Sequence, residues 1–98
     1  MIFRLIVQPT AERQLRELEE SPAHARRFKA VQKCLGLLET NLRHPGLHTH
    51  KYESLQCPRG EDVFEAYAEN LTPGAYRVFW HYGPAKGQIT ILAITPHP

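Results

Sequence analysis

The first apolar residues of the chain repeat with the two-residue period of a β-strand. Residues 2–8 are rich in β-branched and aromatic types, and Phe3, Leu5 and Val7 fall on one face of an extended chain. Pro9 follows this stretch, and proline has no backbone N–H to donate to a sheet. The pattern therefore predicts a first strand over residues 2–8.

The next apolar positions repeat with the period of an α-helix, in two separate runs. The first run ends at Ser21-Pro22, a pair that stops one helix and starts another. The second run ends at Pro45-Gly46, a helix-terminating pair. The two runs predict a helical hairpin, whose apolar stripe consists of Ala11, Leu15, Leu18, Phe28, Val31, Leu35, Leu38 and Leu42.

The C-terminal half contains three further strand patterns. Residues 47–62 show no period and are predicted to form a long loop. Beyond this loop, residues 63–70 and 75–82 place apolar and aromatic side chains on one face and a mixture of charged and aromatic side chains on the other. Residues 88–95 are nearly all apolar. Turns rich in proline and glycine separate these runs. We expect the three strands to form an antiparallel meander, with the apolar last strand inside the sheet.

The order of elements predicts one α+β domain over residues 1–98, with the order β-α-α-β-β-β. An antiparallel sheet would carry the N-terminal helical hairpin packed on one face, which makes two layers around one core. Trp80 alternates onto the helix-facing side of its strand, so we expect it in the core together with Cys34 from the second helix. Arg77 alternates onto the other, open face.

Composition limits the classes of function. No run approaches the roughly 18 apolar residues that cross a membrane, and Arg4 interrupts the apolar N-terminus. We therefore expect a cytoplasmic protein with no membrane partner. The two cysteines match no metal or redox spacing, and His44, His48 and His50 lack a matching cysteine set. The sequence thus predicts neither a metal nor a cofactor.

Charge is distributed unevenly along the chain. Residues 1–51 contain nine Lys/Arg and five Asp/Glu, whereas residues 52–98 contain three Lys/Arg and five Asp/Glu. A positive N-terminal half favours an anionic partner. The second helix carries four of these cations, which form either a solvated face or a contact surface for RNA or an acidic protein: Arg26, Arg27, Lys29 and Lys33.

Three local patterns, taken in order, resemble the RelE/ParE superfamily of bacterial toxins. Residues 50–55 are similar to its Lys-x-x-x-Leu segment, which follows the helical hairpin. Residues 75–80 resemble its Tyr-Arg strand, and residues 88–97 resemble a final strand that ends in a histidine. The order of elements is also that of the superfamily, so the likeness covers almost the whole chain.

The resemblance implies a toxin of a type II toxin–antitoxin system, held inactive by a cognate antitoxin. RelE-like members cut messenger RNA on the ribosome without a metal and thereby inhibit translation, so the ribosome and mRNA are implied partners. YoeB-like members use a Glu, an Arg and a C-terminal His, which correspond here to Glu53, Arg77 and His97 as catalytic residues. Other RelE-like toxins use lysines, which points to Lys51 as a substrate-binding residue.

These residue types suit metal-free RNA cleavage. The reaction needs a base for the 2′-hydroxyl, an acid for the leaving 5′-oxygen, and positive charge near the phosphate. An imidazole such as that of His97 exchanges protons near neutral pH, and the guanidinium of Arg77 can donate two hydrogen bonds to a phosphate. Phe79 and Tyr67 are expected on the open face, where each ring could stack on a base of the substrate.

Each candidate also has a structural interpretation, and two other functions share this fold. Arg77 would form an ion pair with Glu65 or Glu69 across the hairpin, and His97 would be an exposed tail residue. A ParE-like protein would inhibit DNA gyrase without cutting RNA. A catalytically weak domain of the same fold would act only through antitoxin binding. Induction of the gene separates these alternatives, because they predict mRNA cleavage, DNA damage and no growth effect respectively.

Overall fold

The described part of the chain forms two α-helices and five strands. A computed structural model describes residues 2–57 and 59–97. Short 3-10 turns at Pro22–His24 and Pro45–Leu47 precede α2 and β2. In chain order the helices and strands are β1 (Arg4–Val7), α1 (Pro9–Glu20), α2 (Ala25–Thr40), β2 (His50–Gln56), β3 (Asp62–Tyr67), β4 (Tyr76–Tyr82) and β5 (Gln88–Pro96).

The five strands form one sheet in the order β1-β5-β4-β3-β2. β3, β4 and β5 pair antiparallel in sequence order, as predicted, and β5 lies inside the sheet. β1 instead runs parallel to β5, with Arg4 opposite Gln88 and Val7 opposite Ile91. The sheet is therefore mixed, and the prediction of a wholly antiparallel sheet is corrected at β1.

The prediction of a long loop over residues 47–62 is wrong, because this segment contains β2. β2 pairs with β3 at the edge of the sheet, with His50 opposite Glu65 and Lys51 opposite Phe64, and its register shifts between Lys51 and Gln56. An edge strand that is mostly exposed needs no apolar alternation. Its backbone pairing with β3 therefore leaves no periodic signal in the sequence.

The helices cover one face of the sheet, as predicted. Trp80 is fully buried there and its ring stacks on Phe64, with the ring centroids 4.9 Å apart, whereas Tyr82 at the end of the same strand is half-exposed. No helix within residues 2–57 and 59–97 is long and apolar enough to cross a membrane. The buried core is Ala11, Leu18, Val31, Cys34, Leu38, Leu47, Ala66, Val78, Trp80, Ile89, Ile91 and Ile94.

The two cysteines are free thiols in different surroundings, which predicts different reactivity. Burial raises the pKa of Cys34 to about 12, so this thiol stays protonated in the folded protein. Cys57 is only half-buried, and burial together with the charge of Glu61 raises its pKa. We expect iodoacetamide to label Cys57 slowly in the native protein and Cys34 only in denaturant, as measured by mass spectrometry. Cys57→Ser is the control, and rapid native labelling of that variant would contradict the burial of Cys34.

Candidate functional site

The face of the sheet opposite the helices carries a cluster of charged and aromatic side chains. Because Phe64, Ala66, Val78 and Trp80 contact the helical core, strand alternation turns the residues between them toward the open side. On β3 these outward residues include Glu65, which lies opposite Phe79 of β4. Tyr67 lies opposite Arg77 in the same way. Two adjacent strands therefore place a carboxylate, a guanidinium and two aromatic rings side by side.

Glu65 is the centre of this cluster, and its side chain is only 1% exposed. His97 Nδ1 lies 2.6 Å from Glu65 Oε2 in a hydrogen bond, and Arg77 Nε lies 3.6 Å from the same oxygen. His50 Nε2 lies 2.7 Å from Oε1, although it is not aligned as a hydrogen bond. A buried carboxylate is costly unless opposite charges and hydrogen bonds compensate it, and here three basic side chains surround it.

Arg77 is held in one orientation by several contacts. Its side chain is 9% exposed, its Nη1 donates to the main-chain carbonyl oxygen of Glu69, and its Cζ lies 3.6 Å from the centre of the Tyr67 ring. Its Nε has no hydrogen-bond acceptor among residues 2–57 and 59–97. The carboxylate of Glu69 is occupied elsewhere, because it accepts from Arg27 Nε at 2.7 Å and from the backbone N–H of Tyr76 at 3.0 Å. Of the two acids predicted as structural partners, Glu65 is the one whose carboxylate lies beside Arg77.

His97 reaches the cluster from the end of β5. Its backbone N–H donates to the carbonyl oxygen of Ala75 at 2.9 Å, which fixes the segment after β5 against the start of β4. Further back in β5, the N–H of Ile94 donates to the side-chain oxygen of Gln14 on α1 at 2.7 Å. The imidazole of His97 is 49% exposed, and its Nδ1 proton, donated to Glu65, leaves Nε2 as the nitrogen with a free lone pair. The structure thus brings Arg77 and His97 together around one carboxylate.

Glu53 and Lys51, the other two predicted site residues, lie outside this cluster. Lys51 pairs with Phe64, a helix-side residue, and its Nζ lies 3.3 Å from Asp62 Oδ1. Glu53 is exposed and lines a small groove with Lys51 and Asp62. Both side chains follow the odd positions of β2, whereas His50 and Tyr52 occupy the even positions that contact the open face. The carboxylate beside Arg77 and His97 is that of Glu65, not that of Glu53.

Neither of the two rings expected to stack on substrate bases is fully exposed. Phe79 is 2% exposed because Tyr52 of β2 packs edge-on against it, with the ring centroids 5.0 Å apart. The prediction of an exposed Phe79 ring is therefore wrong. Tyr67 is half-buried and contacts both Arg77 and His48, whose ring centroid lies 4.8 Å away. The partly exposed ring of Tyr52 occupies the surface position where Phe79 was expected.

Two residues of the cluster were missed as functional candidates. The alternation of residues 63–70 already separates Glu65 from Phe64 and Ala66, so a carboxylate inside a buried strand was a signal that could have found it. His50 had no comparable signal, because β2 was not predicted. Within the described residues no group of three or more His, Cys, Asp or Glu side chains is arranged to hold a metal ion.

A shallow groove of about 560 Å³ extends the open face away from the cluster. It begins at His81 and Thr90, which pair across β4 and β5. His81 lies two residues after Phe79 on the same side of β4. Arg59, in the turn between β2 and β3, supplies a cation to the rim. The groove therefore shares one side of β4 with the cluster, although no residue of the cluster lines it.

Comparison with known proteins identifies the architecture. No family model matches the chain, and no curated protein matches it significantly. Among solved structures it is similar to a chain of the archaeal RelE–RelB complex from Pyrococcus horikoshii OT3, with 18% sequence identity and a TM-score of 0.66. The match covers 98% of this chain and 96% of that chain. The chain therefore has a RelE-like α+β fold, as its sequence pattern predicted.

Proposed function

We propose that this protein is the toxin of a type II toxin–antitoxin system, and that it cleaves ribosome-bound mRNA without a metal. The observation that carries the proposal is the hydrogen bond from His97 to the buried Glu65, beside the guanidinium of Arg77. A carboxylate that receives the Nδ1 proton orients an imidazole and stabilises its protonated form. This is the arrangement that a general base requires.

The chemistry follows from the open face. His97 Nε2 accepts the proton of a ribose 2′-hydroxyl, the 2′-oxygen attacks the adjacent phosphorus, and the bond from phosphorus to the 5′-oxygen breaks. Arg77 supplies positive charge where the phosphate gains negative charge, and its Nε–H has no acceptor among the described residues. The departing 5′-oxygen takes a proton from a general acid or from water, and the products are a 2′,3′-cyclic phosphate and a 5′-hydroxyl. Because the 2′-hydroxyl is the nucleophile, DNA is not a substrate.

Three of the five acids in residues 52–98 are paired with basic side chains, which reduces their repulsion of RNA. Glu65 is compensated within the cluster, and Glu69 forms a 2.7 Å ion pair with Arg27 of α2. Asp62 lies 3.3 Å from Lys51. Phosphate contacts dominate the affinity for RNA, so compensated acids oppose binding less than free acids do.

A cognate antitoxin is the second partner that we propose. The similar archaeal structure is a complex of RelE with RelB. On this chain, His50 and His97 are each about half-exposed at the cluster. A partner that covered the open face would remove them from solvent and from substrate. The antitoxin is expected to be encoded beside this gene and to copurify with the toxin.

We expect His97→Ala to lower mRNA cleavage by roughly 10²–10⁴-fold, the usual contribution of an acid or base. The measurement is primer extension on mRNA bound to purified ribosomes, with single-turnover rates. His24→Ala is the control, because this histidine lies between the two helices, on the far side of the sheet. Equal cleavage by His97→Ala and the wild-type protein would remove the imidazole from the mechanism. Intact mRNA together with DNA damage in induced cells would favour gyrase inhibition instead.

A further inference from the structure

Glu65 contacts a second histidine, His50, in addition to His97. His50 pairs with Glu65 across β2 and β3, and its side chain is 47% exposed. The imidazoles of His50 and His97 therefore approach the two oxygens of one buried carboxylate from different elements. A shared carboxylate holds two half-exposed imidazoles beside the same guanidinium.

The contacts of His50 differ from those of His97. The Nδ1 of His50 lies 2.8 Å from the carbonyl oxygen of His48, which can only accept, so this nitrogen carries a proton. The Nε2 of His50 lies 2.7 Å from Glu65 Oε1 without hydrogen-bond alignment, and Oε1 receives no hydrogen bond from the described residues. An N–H at Nε2 is therefore not directed at Glu65 and remains open to another acceptor.

Several other side chains lie near His50 or near its partner Glu65. The ring of Tyr67 lies edge-on, with the centroids 6.0 Å apart, and Arg77 contacts Tyr67 at 3.6 Å. His97 contacts the other oxygen of the same carboxylate, Oε2 of Glu65. The nearby pair of Lys51 and Asp62 belongs to the opposite side of β2 and β3. The negative charge that directly contacts His50 is that of Glu65.

We propose that His50 is the general acid of the RNA cleavage reaction and that His97 is its general base, an assignment that rests on the proposed function. His97 Nε2 takes the proton of the 2′-hydroxyl as the bond from the 2′-oxygen to phosphorus forms. His50 gives its Nε2 proton to the 5′-oxygen as the bond from phosphorus to that oxygen breaks. The two imidazoles finish with exchanged protonation states, and proton exchange with water restores them.

A catalytic acid can be separated from a positioning residue by changing the leaving group. His50→Gln keeps a side chain that can hydrogen-bond to His48 and Glu65 but cannot donate an acidic proton. We expect it to cleave ordinary ribosome-bound mRNA roughly 10²–10⁴-fold more slowly than wild type. A substrate with sulfur in place of the bridging 5′-oxygen leaves as a thiolate, which needs no acid because thiols ionise near pH ~8.5. On that substrate His50→Gln should cleave within about tenfold of wild type, whereas His97→Gln should stay slow.

The dependence on pH gives a second readout. The wild-type rate should rise and then fall with pH, because the base must be neutral and the acid protonated. His50→Gln should lose the fall at alkaline pH, and His97→Gln should lose the rise at acidic pH. The role of His50 as acid would be overturned if His50→Gln cleaved the sulfur substrate as slowly as it cleaves ordinary mRNA. It would also be overturned if the rate of this variant still fell at alkaline pH as it does for wild type. If wild-type protein leaves ribosome-bound mRNA intact, the proposed function itself fails; if wild type cleaves and His50→Gln cleaves equally well, only this inference fails.

Discussion

Arg77→Ala is expected to abolish the growth arrest that induction of the wild-type gene produces. Among the described residues, Arg77 is the only arginine whose side chain contacts Glu65. The other basic groups of the cluster are imidazoles, which are not permanently charged. Loss of one arginine from a phosphoryl-transfer site costs about 10³–10⁵-fold in rate where such an arginine has been removed. Growth curves after induction, with mRNA cleavage mapped in the same cells, measure the effect.

Stability has to be measured beside activity for this variant. Removing one partner of a buried ion pair typically costs about 3–5 kcal/mol, because the other charge stays buried without compensation. Arg77→Lys keeps the charge but not the planar fork, so we expect a folded protein with intermediate activity. Circular dichroism and thermal unfolding of both variants separate the two effects. Full toxicity of a folded Arg77→Ala protein would exclude the guanidinium from the reaction.

Glu65→Gln is expected to lower mRNA cleavage by about 10³–10⁴-fold, comparable to the effect of replacing the carboxylate of a catalytic triad by an amide. The amide has nearly the shape of the carboxylate, but it neither stabilises a protonated His97 nor selects one tautomer. Both histidines depend on this side chain, so the variant should also flatten the pH profile of the rate. Single-turnover cleavage between acidic and alkaline pH measures both changes.

A matched control for this prediction is Glu69→Gln. Glu69 lies two residues after β3 with its side chain 13% exposed, but its carboxylate accepts from Arg27 and from the backbone N–H of Tyr76 rather than from the histidines. We expect this variant to keep its cleavage rate within about tenfold of wild type and to lose some stability. If Glu65→Gln and Glu69→Gln have the same cleavage rate and pH profile, Glu65 has no special part in the mechanism.

Some residues of the candidate site could be identified from the sequence, and others could not. Arg77 belongs to a strand with clear alternation, so its face followed from its neighbours Val78 and Trp80. The histidine near the C-terminus was found through family resemblance. Glu53 was chosen by the same resemblance and lies on the wrong side, because its segment was interpreted as a loop and its alternation was therefore not considered.

The burial of Phe79 illustrates a different limit. Its side of β4 was predicted correctly by alternation, but its exposure depends on Tyr52, a residue 27 positions earlier in the chain. A one-residue change in the register of β2 would turn Tyr52 to the other face. The exposure of a side chain such as Phe79 therefore depends on which strand pairs beside it, and it cannot be read from the pattern of its own strand.

Local periodicity determined the helical hairpin, the three sequential strands and the side of β4 on which Arg77 lies, because helical and extended chains place side chains at fixed repeats. Only the tertiary structure decided that β1 runs parallel to β5, that β2 closes the sheet edge, and that Glu65 rather than Glu53 meets His97 and His50. These features are contacts between residues distant in sequence. They are selected by the pairing energy of the whole sheet and leave no period in any one segment.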